Sequence, residues 1–143
     1  MDDRHTSRPV PGWFTVAAIA SVLFTGLGCV ALVMHVAADP AELPLDQRVL
    51  VEAEPQWVLI ASAFGFVAGL IGALLLVLRR KEAERALMIS LAGMLVWLAG
   101  MFATPQFRDL LTTDEIAVLL AILALSWTMF WFARHSRQRG WLE

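Results

Sequence analysis

Charge is scarce in this chain. Only 17% of its 143 residues are Asp, Glu, Lys or Arg, against about 25% in a soluble domain. There is one cysteine, Cys29. A lone thiol excludes a disulfide-stapled scaffold and the paired-thiol centre of a membrane disulfide oxidoreductase. The formal net charge is −2, so the electrostatic footprint of a nucleic-acid binder is missing. Three histidines, His5, His35 and His135, are spread too widely for a metal cluster or a bis-histidine haem within one subunit. No serine has a histidine at matching depth for nucleophilic catalysis, and no glycine loop of the phosphate-binding kind occurs. These absences lead to the expectation of a non-enzymatic protein without a cofactor or metal.

What the chain has in excess is apolar surface: 59% of residues are hydrophobic, against about 45–50% in a soluble domain. That content excludes disorder and implies a bilayer solvent. Four stretches carry no Asp, Glu, Lys or Arg: Gly12–Ala38, Gln56–Leu78, Ala86–Phe107 and Ile116–Ala133. A helix rises about 1.5 Å per residue, so about 17–25 apolar residues cross a hydrocarbon core of roughly 30 Å. All four qualify. Barrel strands would alternate apolar and polar positions, whereas Leu70 to Leu78 is apolar throughout. The expected fold is all-α: a single domain over 1–143, four transmembrane helices in an antiparallel bundle. Arg4, Arg8 and Val36-Ala37-Ala38 resemble the flanks of a signal peptide. The first stretch, however, far exceeds the roughly 7–15 residues of a signal core, so it is expected to stay as a membrane helix.

The basic residues separate by side. Four crossings put Arg4, Arg8, Arg79, Arg80, Lys81, Arg85, Arg134, Arg137 and Arg139 on one face, and only Arg48 and Arg108 on the other. The positive-inside rule makes the first face cytoplasmic, with both termini inside. Most acids fall opposite: Asp39, Glu42, Asp46, Glu52, Glu54, Asp109, Asp114 and Glu115. The expected location is the bacterial inner membrane.

Helix punctuation agrees. Pro11 with Trp13 and Pro55 with Trp57 open the first two spans, since proline fits a first turn and tryptophan favours the headgroup interface. Thr112 and Glu115 have capping-box spacing. Trp127, Phe130, Trp131 and Phe132 form an aromatic belt, with Arg134, Arg137, Arg139 and Trp141 beyond it. Trp13, Trp57, Trp127, Trp131, Trp141, Arg79, Arg80, Arg134, Arg137 and Arg139 are thus the expected interface anchors, and the Arg139-Gly140-Trp141 tail is expected to lie on the anionic inner leaflet. Residues 39–55 read as an outer loop with short helical turns, Val49 and Leu50 resting on the membrane surface.

Two constellations within the spans bear on function. Ala61, Gly65, Gly69 and Ala73 recur every four residues, and Gly72 widens the smooth face. Small residues let helix backbones approach closely. Gly93 and Gly100 supply a facing surface, and the partner is either this chain or another protein. His35 is the candidate ligand-binding or proton-linked residue. Otherwise the spans are dry. Transport and proton relay normally place ionisable groups at depth, and the acid that four-helix multidrug exporters bury in their first helix is missing.

The Pro11-Gly12-Trp13-Phe14, Pro55-Gln56-Trp57, Gly69-Leu70-Ile71-Gly72, Leu78-Arg79-Arg80 and Arg139-Gly140-Trp141 segments resemble those of small four-helix inner-membrane proteins of proteobacteria often called sugar transporters. Pro55-Gln56 and Pro105-Gln106 echo the proline-glutamine pairs of small sugar carriers, although both fall at outer helix ends. The resemblance implies a four-helix fold and a transport substrate, without a site residue to carry over. The first expectation is an accessory or scaffold subunit acting by lateral helix packing, its partners being the lipid bilayer, other membrane subunits or further copies of itself. The alternative is an oligomeric small-solute transporter.

Overall fold

A computed structural model describes residues 10–142, excluding the side chains of Asp46 and Leu110. Arg4, His5 and Arg8 lie outside the described residues. Among the described residues the regular structure is all helical. Four long helices are apolar and long enough to cross a membrane: α1 (Gly12–Ala37), α3 (Gln56–Val77), α4 (Glu82–Ala103) and α6 (Thr113–Gln138). Two short helices, α2 (Leu45–Ala53) and α5 (Pro105–Leu110), bridge them. Each half of the chain is therefore a long helix, a short one and another long one.

The boundaries follow from local chemistry. Proline precedes or opens α1, α2, α3 and α5, where the missing N–H has no intrahelical partner to lose. α6 opens on the expected capping box: Thr112 Oγ1 accepts from the Glu115 N–H, and Glu115 accepts from the Thr112 N–H at 2.8 Å. Two long helices end in the same hydrogen-bonded motif. Arg80 N–H donates to Leu75 and Arg79 N–H to Leu76, while Trp141 N–H donates to Ser136 and Gly140 N–H to Arg137. Both need a left-handed residue. Gly140 supplies one at φ 71°, and Arg79 is forced into the other at φ 57°.

The third span departs from its expected bounds. It starts at Glu82 rather than Ala86, because Glu82 and Glu84 sit in the first turn, where acids favour the helix dipole. It stops at Ala103 rather than Phe107. Pro105 forces Thr104 into an extended conformation, and the apolar run continues as α5. The fourth helix likewise outruns its expected span at both ends, covering 113–138 rather than 116–133.

α3 and α4 form the closest-packed pair, joined by residues 78–81; α1 lies on α3 and α6 on α4. Along the α3/α4 seam positions rising on one helix meet positions falling on the other: a methyl group on Gly65 would lie 3.2 Å from Met94 N, one on Gly72 2.7 Å from Leu87 Cγ, and one on Gly100 2.7 Å from Val58 Cγ2. Ser90 Oγ donates to the Gly65 carbonyl at 2.7 Å across the same seam. The buried core gathers where the chain ends and the α3–α4 turn meet: Phe14, Leu76, Ala83, Phe132, Ala133 and Leu142 belong to it. This is the basic end, since Arg79, Arg80, Lys81, Arg85, Arg134, Arg137 and Arg139 surround it. The opposite, loop end carries α2 and α5, which pack on one another.

Candidate ligand cavity at the loop end

The small-residue face is turned inward. Gly65, Gly69, Gly72 and Ala73 are buried, with Ala61 part-buried. Gly65 meets Gly93 and Met94, Gly69 meets Ser90 and Thr25, and Gly100 meets Trp57 and Val58. Its partner is this chain itself, and lateral association would have to use other surfaces.

The middle of the bundle is filled. Thr25, Ser90 and Ser126 line a void of about 10 Å³, roughly the room of one water-sized probe. Their hydroxyls are engaged: Ser21, Thr25 and Ser126 donate to carbonyls four residues back, Ser62 three back, and Ser90 to Gly65. Such back-bonding satisfies a hydroxyl inside its own helix.

The basic end is sealed. Phe14 and Phe132 rings stand 5.3 Å apart, and Trp13 and Trp141 5.6 Å apart. Leu142 is 3% exposed. Gly140 turns the chain so that Trp141 and Leu142 fold back into the bundle, which corrects the expectation of a tail laid out on the leaflet. Arg137 donates to Glu84 at 2.7 Å, tying α6 to the start of α4. Trp127 and Trp131 remain exposed, with Trp131 stacked on His135 at 5.3 Å; Arg79, Arg80, Arg134 and Arg139 face outward. Trp57, at the loop end, is half-exposed beside Gly100.

At the loop end the bundle leaves room beneath the short helices. A cavity of about 360 Å³ lies between α1, α3 and α4, beneath α2 and α5. Gly28 on α1 admits the Phe66 ring against its backbone, Ala31 lines the cavity beyond it, and Phe66 and Trp97, 6.5 Å apart, stand at the wall. Leu50 faces this cavity instead of resting on the membrane surface. With Met101 and Phe107 it separates the cavity from a second one of about 330 Å³, which Asp114 and Glu115 also line. The short helices make this possible: Pro105 ends α4 early, and α5 leads Phe107 across the opening.

One hydrogen-bonded pair of ionisable side chains faces the cavity. His35 Nε2 lies 2.8 Å from Glu54 Oε2. The Glu54 side chain is 10% exposed and that of His35 41%. Among the described residues His35 is the only side-chain partner of Glu54, so the carboxylate keeps unused acceptor capacity. Among the described residues no Lys or Arg lines either cavity. Nearby Arg48 is held by Glu52 at 2.7 Å, and Arg108 lies 3.8 Å from Asp109.

No family model, curated protein or solved structure matches this chain. Function is therefore read from geometry. His35, singled out by the sequence, lies at this cavity. Glu54, Trp97 and Phe107 are the residues the sequence did not single out. The signal available for Glu54 was its place before Pro55, a carboxylate held against the mouth of a membrane helix. Pro55-Gln56 and Pro105-Gln106 stand at the starts of α3 and α5, flanking the cavity end without lining it.

Proposed function

We propose that the chain is a non-enzymatic multi-pass protein of the bacterial inner membrane, an antiparallel four-helix bundle with both termini cytoplasmic, that holds a small lipid-soluble ligand in its loop-end cavity. The observation that carries the binding role is the cavity of about 360 Å³, largely apolar and faced by a nine-tenths buried carboxylate. Pockets with an apolar wall and few polar groups are the usual form of a small-molecule site. The orientation rests on the seven basic residues around one end of the bundle, which the positive-inside rule puts in the cytoplasm. The loop end is then periplasmic.

An accessory role in a larger membrane assembly complements this reading. Its support is the seam between α1 and α6, which leaves a groove of about 400 Å³ beside Ala17, Ala20 and Ser21. Small residues of this kind admit a helix of another subunit or of a second copy. A self-contained small-solute transporter is the weaker reading, because carriers place a polar chamber near the bilayer midplane and the void there is about 10 Å³.

The test is extraction of the full chain in native lipid discs, followed by mass spectrometry of what it retains. Wild type should carry a small molecule that an Ala31→Trp variant, with the cavity filled, loses. Identical small-molecule content in both proteins contradicts the binding role. Recovery of the same membrane protein with both supports the accessory role.

A further inference from the structure

We infer that the loop-end cavity selects a lipophilic organic cation, an ammonium head on an aromatic or aliphatic body. The inference rests on the cavity being a ligand site and names its chemistry. Among the described residues Glu54 is the only acidic side chain lining it, 10% exposed at the side chain, and His35 is its one partner. That single contact, at one carboxylate oxygen, leaves acceptor capacity on Glu54 for a second donor. An ammonium group entering the cavity would meet this nine-tenths buried carboxylate, and charge pairing offsets the cost of burying either group.

The rest of the lining points the same way. Phe66, Trp97 and Phe107 present aromatic rings to the cavity, and ring faces attract ammonium groups, quaternary ones above all. The adjoining cavity adds Asp114 and Glu115. Among the described residues no Lys or Arg lines either space, so an anionic ligand meets Glu54 with no ammonium or guanidinium to hold it. A neutral ligand gains the apolar contacts but leaves the Glu54 charge unanswered.

Calorimetric titration of the full chain in uncharged maltoside micelles, with empty micelles as blank, decides this. Three probes of similar size are compared: benzyltrimethylammonium, its neutral carbon isostere neopentylbenzene, and benzenesulfonate. Wild type should bind the cation about tenfold or more tightly than the isostere, and the sulfonate not at all. Glu54→Gln should abolish that preference while keeping its affinity for neopentylbenzene, which shows the cavity intact. Wild-type selectivity needs no variant and decides alone if Glu54→Gln fails to fold. Equal binding of cation and isostere overturns the cationic class and leaves the ligand cavity standing. Binding of none of the three overturns both. Added phosphatidylethanolamine separates two sources of the ammonium: competition identifies a lipid headgroup, its absence a free amine.

Discussion

The two ends of the bundle are built from the same apolar material and come out opposite. At the basic end Phe14, Leu76, Ala83 and Ala133 are at most 1% exposed, four aromatic rings interlock, and an ion pair ties α6 to α4. At the loop end two cavities of about 330 and 360 Å³ lie side by side. The difference lies in where the helices stop. At the basic end α3 turns into α4 within residues 78–81, and Gly140 folds the chain end inward. At the loop end prolines break the chain into short pieces that roof the bundle without filling it. Stability is thus concentrated at one end, and room for a ligand at the other.

Substitutions can break that comparison. Phe14→Ala, at a ring only 1% exposed, should cost about 3–5 kcal/mol, the range for emptying a packed aromatic site. Phe107→Ala, although Phe107 is also buried, should cost less than about 2 kcal/mol, since it borders space already open. Reversible unfolding in mixed micelles measures both, and equal costs would erase the distinction between the ends. Gly72→Leu should cost about 1–3 kcal/mol by overpacking, because even a methyl group there meets Leu87 at 2.7 Å. Its signature is loss of the folded monomer, with no change in partners. Arg79→Gly should gain about 1 kcal/mol by relieving a left-handed non-glycine residue, visible in the same unfolding assay. Glu84→Gln should be the smallest effect, about 0.2–1 kcal/mol and reduced by salt, because Arg137 is half-exposed.

Much of the fold was legible because membrane helices are written in long uncharged runs. Pro11, Pro55 and the Thr112/Glu115 box marked three helix starts. Pro105 was legible as standing at an outer helix end, but apolarity continues to Phe107, and backbone sterics at Thr104 decide where α4 stops. The Gly65–Gly69 face was legible as a close-packing surface, but its partner was not, since facing Gly93 depends on the register set by the α3–α4 turn. The site was half legible. His35 stood out as an imidazole at a span's edge, whereas Glu54 looked like one of many acids in a solvated loop. Only the path of α2, which ends at Ala53, brings that carboxylate to α1. Leu50 faces inward for the same reason: the path of α2 sets which side chains reach the cavity.

The most direct measurement uses 5-fluorotryptophan and fluorine NMR of the full chain in micelles, with resonances assigned by single Trp→Phe replacements. Trp97 lines the loop-end cavity, and Trp13 and Trp141 belong to the aromatic seal. On titration with benzyltrimethylammonium the Trp97 resonance should shift and saturate while those of Trp13 and Trp141 stay fixed. Shifts at the basic end with Trp97 unmoved, or no saturable shift anywhere, would contradict a ligand site at the loop end.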